Sequence, residues 1–332
     1  MATIREIAKL AGVSAGAVSR ILNNDPTLSV SAETRKKVFD IAKELNYSKS
    51  GNNDKSTFKM GILLWFSAGQ ELQDSYYLRT RQGVEDFCQK NAIGIVRAFQ
   101  SDPATLQALK DVDGLICIGK FSKTEIQQFI ATCSNIVFLD MPVSDFNITS
   151  LSMDFKSAVY TALDHLVSLG HQKIAFLGGK EYVGNGEILI DERKTSYISY
   201  MKNQKLDYEG MLYEGSFTSA SGYEMMQQLL NSGTIPTAVF AANDAIAFGA
   251  IKAIKEHGLS VPEDISIIGF NDTEMCDYIT PALTTIHAPA YDMGQHGANL
   301  VYVASNLSIS TPLKAKIPCH LVVRESCRKI IK

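Results

Sequence analysis

The residues best suited to recognition chemistry stand in one short stretch near the start of the chain. If the residues after Ser14 form a helix, its outward positions hold small or polar side chains and one long cation, namely Ala15, Gly16, Ser19, Arg20 and Asn23. A helix with small residues at its N-terminus can bring its backbone close to base edges in a DNA major groove. Gly16 costs a helix up to about 1 kcal/mol relative to Ala, and close approach to another surface would explain its presence. We therefore predict that this helix reads DNA.

Two short helices joined by a tight turn would position that surface. Thr3 with Glu6 three residues later is typical of a capping box, Gly12 supplies a turn, and Ser14 can cap the second helix. The apolar residues that the two helices would bury are Ile4, Ile7, Ala8, Ala11, Ala17, Val18, Ile21 and Leu22. An ordinary amphipathic hairpin packed on a core has a similar pattern, so the DNA interpretation depends on the bare outer face.

A third helix is predicted to start at Ser31 and to close a three-helix core. Its apolar positions are Val38, Ile41, Ala42 and Leu45. Thr34 and Arg35 fall in its first turn, where a hydroxyl, a guanidinium and free backbone N–H groups can meet phosphate. Such contacts fix the register on DNA and carry no sequence information.

The charge distribution agrees with a polyanionic partner at one end of the chain. The 332 residues carry a formal charge of -3, but residues 1 to 50 hold eight Lys and Arg against five acids. The other residues then hold 24 basic and 30 acidic side chains. A basic head on an acidic body suits nucleic acid bound by the head alone.

Residues 1 to 47 resemble the headpiece of the LacI/GalR (lactose-repressor/galactose-repressor) family of bacterial transcription factors. The matching segments are TIREIAKLAGVS, AVSRILN, VSAETRKKV and ELNY. The family binds double-stranded, pseudo-palindromic operators, and paired heads read such sites, so a homodimer is expected. The DNA-binding residues expected from the pattern and the resemblance together are Thr3, Ile4, Ser14, Ala15, Gly16, Ala17, Ser19, Arg20, Asn23, Thr34, Arg35 and Tyr47.

The segment from 48 to 57, SKSGNNDKST, has no apolar residue. The resembling family has a hinge helix here, with a Leu that wedges into the minor groove and kinks the DNA. Gly51 and two Asn residues disfavour a helix. We therefore predict a polar linker that gains little helix on DNA.

From Phe58 onward, short apolar strands alternate with amphipathic helices, which is the pattern of parallel sheets covered on both faces. The predicted strands span 59–66, 94–99, 114–118, 136–139, 174–177, 238–241 and 265–270, and predicted helices include 77–89, 156–169, 193–203, 223–230 and 245–257. About 270 residues exceed one typical domain, so we predict two doubly wound lobes with a ligand cleft facing their strand ends.

The resemblance continues through the body in HLVSLGHQKIAFLGG, FAANDAIAFGAIKAIKEHGLSVPEDISIIGFNDTE, PALTTIH and LVVRES. It implies an all-α helix-turn-helix head followed by an α/β body of two lobes, similar to a type I periplasmic-binding protein. One lobe would comprise about 58–154 and 287–318, and the other about 155–286 and 319–332. The chain would cross between them near Phe155, Ile286 and Pro318.

The resemblance also implies a set of effector-binding residues in the cleft. The polar members are Asp140, Arg193, Asn243 and Asn271, Phe217 would be a platform for a sugar ring, and Ser67 and Tyr76 would stand on the wall of the first lobe. Asp140 and Asn243 follow predicted strands and could instead be turn or helix-cap residues, and Phe217 could be core. The family often has an aromatic residue near position 290, where this chain has Ala288, Pro289 and Ala290, so one wall is expected to be different or more open.

The sequence predicts neither an enzyme nor a cofactor or metal site. It lacks H-E-x-x-H, G-x-S-x-G and G-x-x-x-x-G-K motifs, its six histidines show no ligand spacing, and its six cysteines form no C-x-x-C pair. No apolar run approaches the roughly 20 residues of a membrane span. The charges of Arg5, Glu6 and Lys9 do not fit a signal peptide, so a cytoplasmic protein with reduced thiols is expected.

Three classes of function could use such a chain: a sugar-responsive DNA-binding repressor, a secreted or periplasmic solute receptor, and a sugar-modifying enzyme on an α/β scaffold. A receptor does not fit the basic head, and an enzyme does not fit the missing catalytic motifs. We predict a repressor of sugar-utilisation genes with galactose or a galactoside as effector. A purine is the alternative, because Phe217 could equally stack on a base and Arg193 could contact it.

Overall fold

A computed structural model describes residues 3–22, 25, 28–45, 58–67, 75–102, 104–141, 143–184, 186–307 and 309–330. The chain divides into two compact units, a head (residues 1–56) and a body (residues 57–332). Asn23, Tyr47 and the linker 48–57, all subjects of sequence predictions, lie outside the described residues. Within the described ranges, no helix has the length and apolar character needed to cross a membrane.

The head contains helices α1 (Ile4–Ala11), α2 (Ala15–Leu22) and α3 (Ala32–Glu44). The predicted capping box is present: the Thr3 hydroxyl accepts from the Glu6 amide at 3.3 Å, and the Glu6 carboxylate accepts from the Thr3 amide at 2.7 Å. Gly12 ends α1 with a φ of 73°, a conformation that glycine adopts without steric cost. The buried side chains form one small core, as predicted, and comprise Ile7, Ala8, Ala11, Val18, Ile21, Val38 and Ala42. Of the other residues predicted to be buried, Ile4, Leu22, Ile41 and Leu45 pack partly buried against this core, and Ala17 is partly exposed.

One sheet of the body is entirely parallel, with strand order β13-β5-β4-β3-β1-β2. Its strands are β1 (Lys59–Leu64), β2 (Gly94–Phe99), β3 (Gly114–Ile118), β4 (Ile136–Leu139), β5 (Thr149–Met153) and β13 (Lys314–Ile317). The helices of this lobe are α4 (Ser75–Lys90), α5 (Thr105–Ala108), α6 (Lys123–Thr132) and α11 (Ala290–Leu307). Helices α4 and α11 pack so closely that a Cβ on Gly83 would lie 2.0 Å from the carbonyl oxygen of Tyr291. Glycine at that point therefore sets the distance between the two helices.

The other sheet has the order β14-β12-β11-β10-β6-β9, with only the β14 edge antiparallel. Its strands are β6 (Ile174–Gly179), β9 (Leu212–Gly215), β10 (Ala238–Ala241), β11 (Ser266–Asn271), β12 (Thr284–His287) and β14 (His320–Val322). Its helices are α7 (Phe155–Ser168), α8 (Glu192–Asn203), α9 (Ser219–Asn231) and α10 (Asp244–Glu256). A separate hairpin, β7 (Glu181–Val183) and β8 (Glu187–Leu189), follows β6.

The chain passes between the two sheets three times, after β5, after β12 and after β13. These passages lie near the expected Phe155, Ile286 and Pro318. The predicted fold class, a helical head followed by an α/β body with two parallel-sheet lobes, is confirmed. All seven predicted strands are present with ends within two residues, whereas the strands that the sequence did not predict are short or polar and comprise β5, β7, β8, β9, β12, β13 and β14.

Candidate recognition helix and interlobe cleft

Helix α2 presents a bare outer surface. The Ser14 hydroxyl accepts from the Ala17 amide at 3.1 Å, which caps the helix as predicted. Ala15 and Gly16 are exposed, whereas Val18 and Ile21 are fully buried against the head core. A Cβ added to Gly16 would meet no atom within 4 Å. Packing inside the described part of the head therefore gives no reason for this glycine, and close approach to DNA stays a prediction.

Arg20 lies at the edge of this surface with half of its side chain exposed. Its Nε donates to a carboxylate oxygen of Asp25 at 2.7 Å. A base contact by Arg20 would therefore exchange this ion pair for a DNA partner. Ser19 and Ala17 are half-buried beside it.

The other expected DNA contacts lie at the starts of α3 and α1. In α3, the Ser31 hydroxyl accepts from the Thr34 amide at 3.1 Å, and the two hydroxyls are 2.8 Å apart. Thr34 and Arg35 are half-buried in that first turn. Thr3 caps α1 and is exposed, and Ile4 is half-buried against the core. All four residues stay predicted DNA contacts.

The body contains a cavity of about 470 Å³ between its two sheets. Of the expected effector-binding residues, five line it: Tyr76, Asp140, Arg193, Phe217 and Asn271. They come from both lobes, because Tyr76 begins α4 and Asp140 follows β4, whereas the other three belong to the second lobe. Ser67 and Asn243 are not among the lining residues.

Asp140 is held by three donors of its own lobe. It follows β4 with a φ of 64°, and its carboxylate accepts from Tyr76 at 3.2 Å and Tyr77 at 2.9 Å. The Lys120 ammonium lies 2.8 Å from the same carboxylate. Burial opposes the charge on Lys120, yet Asp140 raises the pKa of that ammonium above its ordinary value. Asp140 is thus an acceptor that three side chains of its own lobe hold in place.

Arg193 is equally constrained on the opposite side of the cavity. Asp191 caps α8 by accepting from the Arg193 amide at 2.8 Å, and both of its carboxylate oxygens lie 3.0 Å from the Arg193 Nε. The Arg193 Nη1 donates to the carbonyl of Ala242 at 2.8 Å. Burial opposes the cation, but Asp191 raises the pKa of Arg193. Nη2 donates to none of the described residues, so it is available to a ligand.

Aromatic rings surround the Arg193 guanidinium, whose central carbon lies 4.8 Å from the ring centre of Phe217 and 5.1 Å from that of Phe155. Phe217 also packs on the end of β6, where a Cβ on Gly179 would lie 2.4 Å from the Phe217 ring. The glycine therefore leaves the space that the ring occupies.

Asn243 has the role of a helix cap. Its side chain is 1 % exposed, accepts from the Ile246 amide at 2.9 Å and donates to the Phe217 carbonyl at 3.2 Å. It therefore fixes the start of α10 and the backbone of Phe217. Ser67, which follows the first strand, is exposed. Whether either residue meets an effector stays a prediction.

Sequence reasoning missed much of the cavity wall. The missed residues are Trp65, Phe66, Tyr77, Phe155, Lys180, Glu181, Tyr182, Ser216 and Thr218. Trp65 and Phe66 fell inside a strand that was predicted two residues too long, although their position at a parallel strand end was a usable signal. Lys180, Glu181 and Tyr182 belong to the hairpin region after β6, which was not predicted at all.

Glu181 is the carboxylate of this cavity whose bonding is least complete. Its carboxyl makes no hydrogen bond to the residues that the structure describes. Burial raises its pKa, although Lys120 and Arg193 act in the opposite direction. An uncharged hydroxyl that donates to it would therefore be a favourable partner.

The cavity combines flat apolar faces with fixed polar groups. Seven of its fourteen lining residues are aromatic, and the nearby cations Lys120, Lys180 and Arg193 are matched by Asp140, Glu181 and Asp191. A balanced charge suits a neutral ligand with hydroxyl or ring-nitrogen groups, and small-molecule sites commonly have this composition. The described residues contain no group of three His, Cys, Asp or Glu side chains placed to hold a metal ion.

Comparison with known families agrees with this division of the chain. Residues 3–50 match the family described as bacterial regulatory proteins, lacI family, and residues 163–327 match a periplasmic binding protein-like domain.

Full-length relatives include the HTH-type transcriptional regulator GalR of Streptococcus thermophilus, 34% identical over 99% of this chain and 100% of the relative. The HTH-type transcriptional repressor MelR of Bacillus subtilis is 32% identical over 98% of each chain. The HTH-type transcriptional repressor PurR of Actinobacillus pleuropneumoniae serotype 3 is 31% identical over 100% of each chain.

Solved structures with the same fold include one with operator DNA and a small molecule and one with a sugar. The lac repressor dimer bound to operator and the anti-inducer ONPF has a TM-score of 0.72 at 27% identity, covering 98% of this chain and 99% of that one. A LacI family transcriptional regulator from Enterococcus faecium with bound ribose has a TM-score of 0.67 at 26% identity, covering 82% of this chain and 100% of that one.

Proposed function

The chain belongs to the lacI family of bacterial regulatory proteins, and we propose that it represses sugar-utilisation genes under the control of galactose or a galactoside. The protein is a DNA-binding regulator of transcription with a helix-turn-helix head. The proposal adds the identity of the effector and its binding site, the cavity between the two lobes.

The observation that carries the proposal is the pairing of fixed polar groups across the cavity. Asp140 of one lobe presents a carboxylate held by Tyr76, Tyr77 and Lys120, and Arg193 of the other lobe presents an available Nη2. Sugars need polar partners on adjacent hydroxyls and a flat apolar surface under the ring. A sugar that bonds to both groups would favour one arrangement of the lobes over another, which is the requirement for allosteric control.

A purine is the second candidate effector. Phe217 offers an aromatic face, Arg193 stands beside it, and a relative named PurR is 31% identical over the whole chain. Two observations favour the sugar. Arg193 already covers part of Phe217 at 4.8 Å, and the cavity presents two carboxylates, Asp140 and Glu181, that suit the several hydroxyl donors of a sugar better than the few N–H groups of a base.

The expected mode of DNA binding favours a homodimer. One small head buries too little DNA to be specific, and two heads related by a twofold axis would read a pseudo-palindrome. The related lac repressor is a dimer on its operator. We therefore propose a homodimer that acts on chromosomal DNA in the cytoplasm.

A ligand screen on the full chain tests the effector. Thermal unfolding should be measured with galactose, lactose, melibiose, adenine, guanine and hypoxanthine. We expect the galactose-containing sugars to raise the melting temperature of the body, because a ligand at 100 times its Kd stabilises the native state by about 2.7 kcal/mol. Stabilisation by a nucleobase and by none of the sugars would overturn the proposal in favour of the purine alternative.

A further inference from the structure

The segment between β6 and α8 reaches from one lobe to the other beside the cavity. Both of these elements belong to the second lobe, but Gly184 of the intervening hairpin lies against the first lobe. A Cβ on Gly184 would be 3.1 Å from the Cβ of Ser122, the residue that caps α6. The first three residues of the segment, 180–182, line the cavity. We call the described residues 180–184 and 186–191 the strap.

Charged groups add two further links between the lobes at the ends of the strap. Where the strap ends, Glu192 of α8 forms an ion pair of 2.6 Å with Lys316 of β13 in the first lobe. Where it begins, burial raises the pKa of Glu181, and Lys120 of the first lobe is close enough to act in the opposite direction. The strap is therefore held to the first lobe near both ends and at Gly184.

The apolar side chains of the strap are mostly exposed. Tyr182 and Ile188 are opposite each other in the hairpin and are 51% and 57% exposed, and Ile190 is 81% exposed. Val183, in contrast, is 2% exposed. A segment with few buried apolar contacts opens locally at a low cost in free energy. Val183 is thus the apolar anchor of a segment that can otherwise move away from the first lobe easily.

We propose that the strap is a gate that lifts from Ser122 to let a small molecule enter or leave the cavity and then closes again. Gly184 permits the closed position, because its φ is 52° and a side chain there would press on Ser122. A gate is crossed in both directions, so it controls the rates of binding and release more than the affinity. The inference rests on the proposed function, because it takes this cavity to be the effector site.

Acrylamide quenching of tryptophan fluorescence tests the gate without a sugar. Trp65 is the one tryptophan in the sequence, and it lines the cavity. A double variant, Ser122→Cys with Gly184→Cys, brings two Cβ atoms close to the roughly 3.5 to 4.5 Å spacing of a disulfide, which would hold the strap closed. We expect acrylamide to quench the oxidised protein less than the same protein after reduction. Ser122→Cys alone is the control for the native cysteines and should show no such difference.

A variant that loosens the strap should have the opposite effect. Val183→Ala removes the anchor and should increase the quenching of Trp65. Ile188→Ala is the matched control, because Ile188 is a β-branched residue of the same hairpin that is exposed. With lactose and melibiose as probes, stopped-flow fluorescence should show both the association and the dissociation rate of Val183→Ala raised by about tenfold, the effect of two lost methyl groups. Kd should change little.

Several results would overturn the gate. Failure of the two cysteines to form a disulfide, as read by mass spectrometry, would contradict the contact between Gly184 and Ser122. Equal quenching of the oxidised and reduced double variant would show that the strap does not control access to Trp65. A rise in the dissociation rate alone in Val183→Ala would indicate a rigid wall. If neither sugar binds the unaltered chain, the proposed effector fails, whereas the quenching of the double variant still decides the gate.

Discussion

On helix α2 the outward residues Ala15 and Gly16 are small and exposed, whereas in the cleft Asp140 and Arg193 are buried and bonded to other groups of the protein. A Cβ on Gly16 would meet no atom within 4 Å, so packing in the described part of the head does not require this glycine. Asp140 and Arg193, in contrast, each hold several protein partners. The predicted DNA surface of the head therefore consists largely of small exposed side chains, and the predicted effector site is built from groups that the protein itself holds in place. Substitutions in the head should change specificity, and substitutions in the cleft should also change stability.

The largest effect is expected from Arg193→Ala. It removes the partner of buried Asp191 and one donor to the Ala242 carbonyl, and loss of one member of a buried ion pair costs about 3 to 5 kcal/mol. The variant should lose its response to galactosides while its head still binds DNA. Denaturant unfolding, calorimetry and DNA titration measure the three properties.

Lys194→Ala is the control for this variant. Lys194 is the next residue of α8 and pairs with Glu214 at 2.5 Å on a more exposed face, so its loss should cost less than about 1 kcal/mol. A normal galactoside response in folded Arg193→Ala protein would show that Arg193 is structural and that the ligand site lies elsewhere.

The head and the cleft also differ in how much of each could be predicted from the sequence. The head was predictable in detail because its capping box, turn glycine and apolar face are local patterns within about 20 residues of chain. Asp140, Arg193, Phe217 and Asn271 could be placed in the cleft only through the family resemblance. The contacts that fix these side chains could not be predicted from the sequence, because they depend on the order of strands in each sheet. That order brings Lys120 to Asp140 and Arg193 to Ala242. The hairpin with Glu181 has too few residues for a periodic signal.

A buried carboxyl behind the cleft should make the stability of the body depend on pH. Asp244 accepts from the Thr273 amide at 2.8 Å and the Thr285 hydroxyl at 2.6 Å, and burial raises its pKa to about 6 from an ordinary 3.8. Between these values the native state binds more protons than the unfolded state, so this contribution to stability falls as the pH rises. The loss should reach about 2 to 3 kcal/mol above pH 6.

Asp244→Asn isolates that contribution. The free energy of unfolding of the body should be measured for both proteins by urea titration between pH 4 and pH 7. The stability of the unaltered protein relative to the variant should decrease as the pH rises through this window. A difference that stays constant or increases with pH would show that Asp244 is ionised throughout the window in the native protein.

A smaller effect is expected on the recognition helix. Arg20→Ala should cost about 1 to 3 kcal/mol on a preferred duplex, selected from a random pool, and much less on random DNA. Exchange of Ala15 and Gly16 for larger polar residues should redirect the selected sequence without unfolding the head. Arg5→Ala is the control, because Arg5 is an exposed arginine on α1 outside the predicted contacts and should weaken both kinds of DNA equally. An equal loss on both DNAs in Arg20→Ala would refute base reading by this residue.

The smallest effect is expected in the linker. Because the linker has no apolar residue to wedge into the minor groove, we expect the operator to bend only slightly. We also expect the amides of residues 48 to 57 to be weakly protected from hydrogen exchange on DNA. Gel-based bend analysis and hydrogen exchange of the complex measure both. A sharp kink with strong protection from Ser50 to Ser56 would mean that DNA orders a hinge helix from polar residues.

The central claim is that a ligand in the cleft changes the affinity of the head for DNA. The direct measurement is a titration of the full chain with its selected duplex, in the absence of ligand and at saturating galactoside, with saturation verified by calorimetry. Because effector and operator are coupled through one chain, we predict a change in Kd corresponding to roughly 1 to 3 kcal/mol, and no change for Arg193→Ala. Identical affinities of the unaltered protein with the cleft empty and occupied would contradict the account.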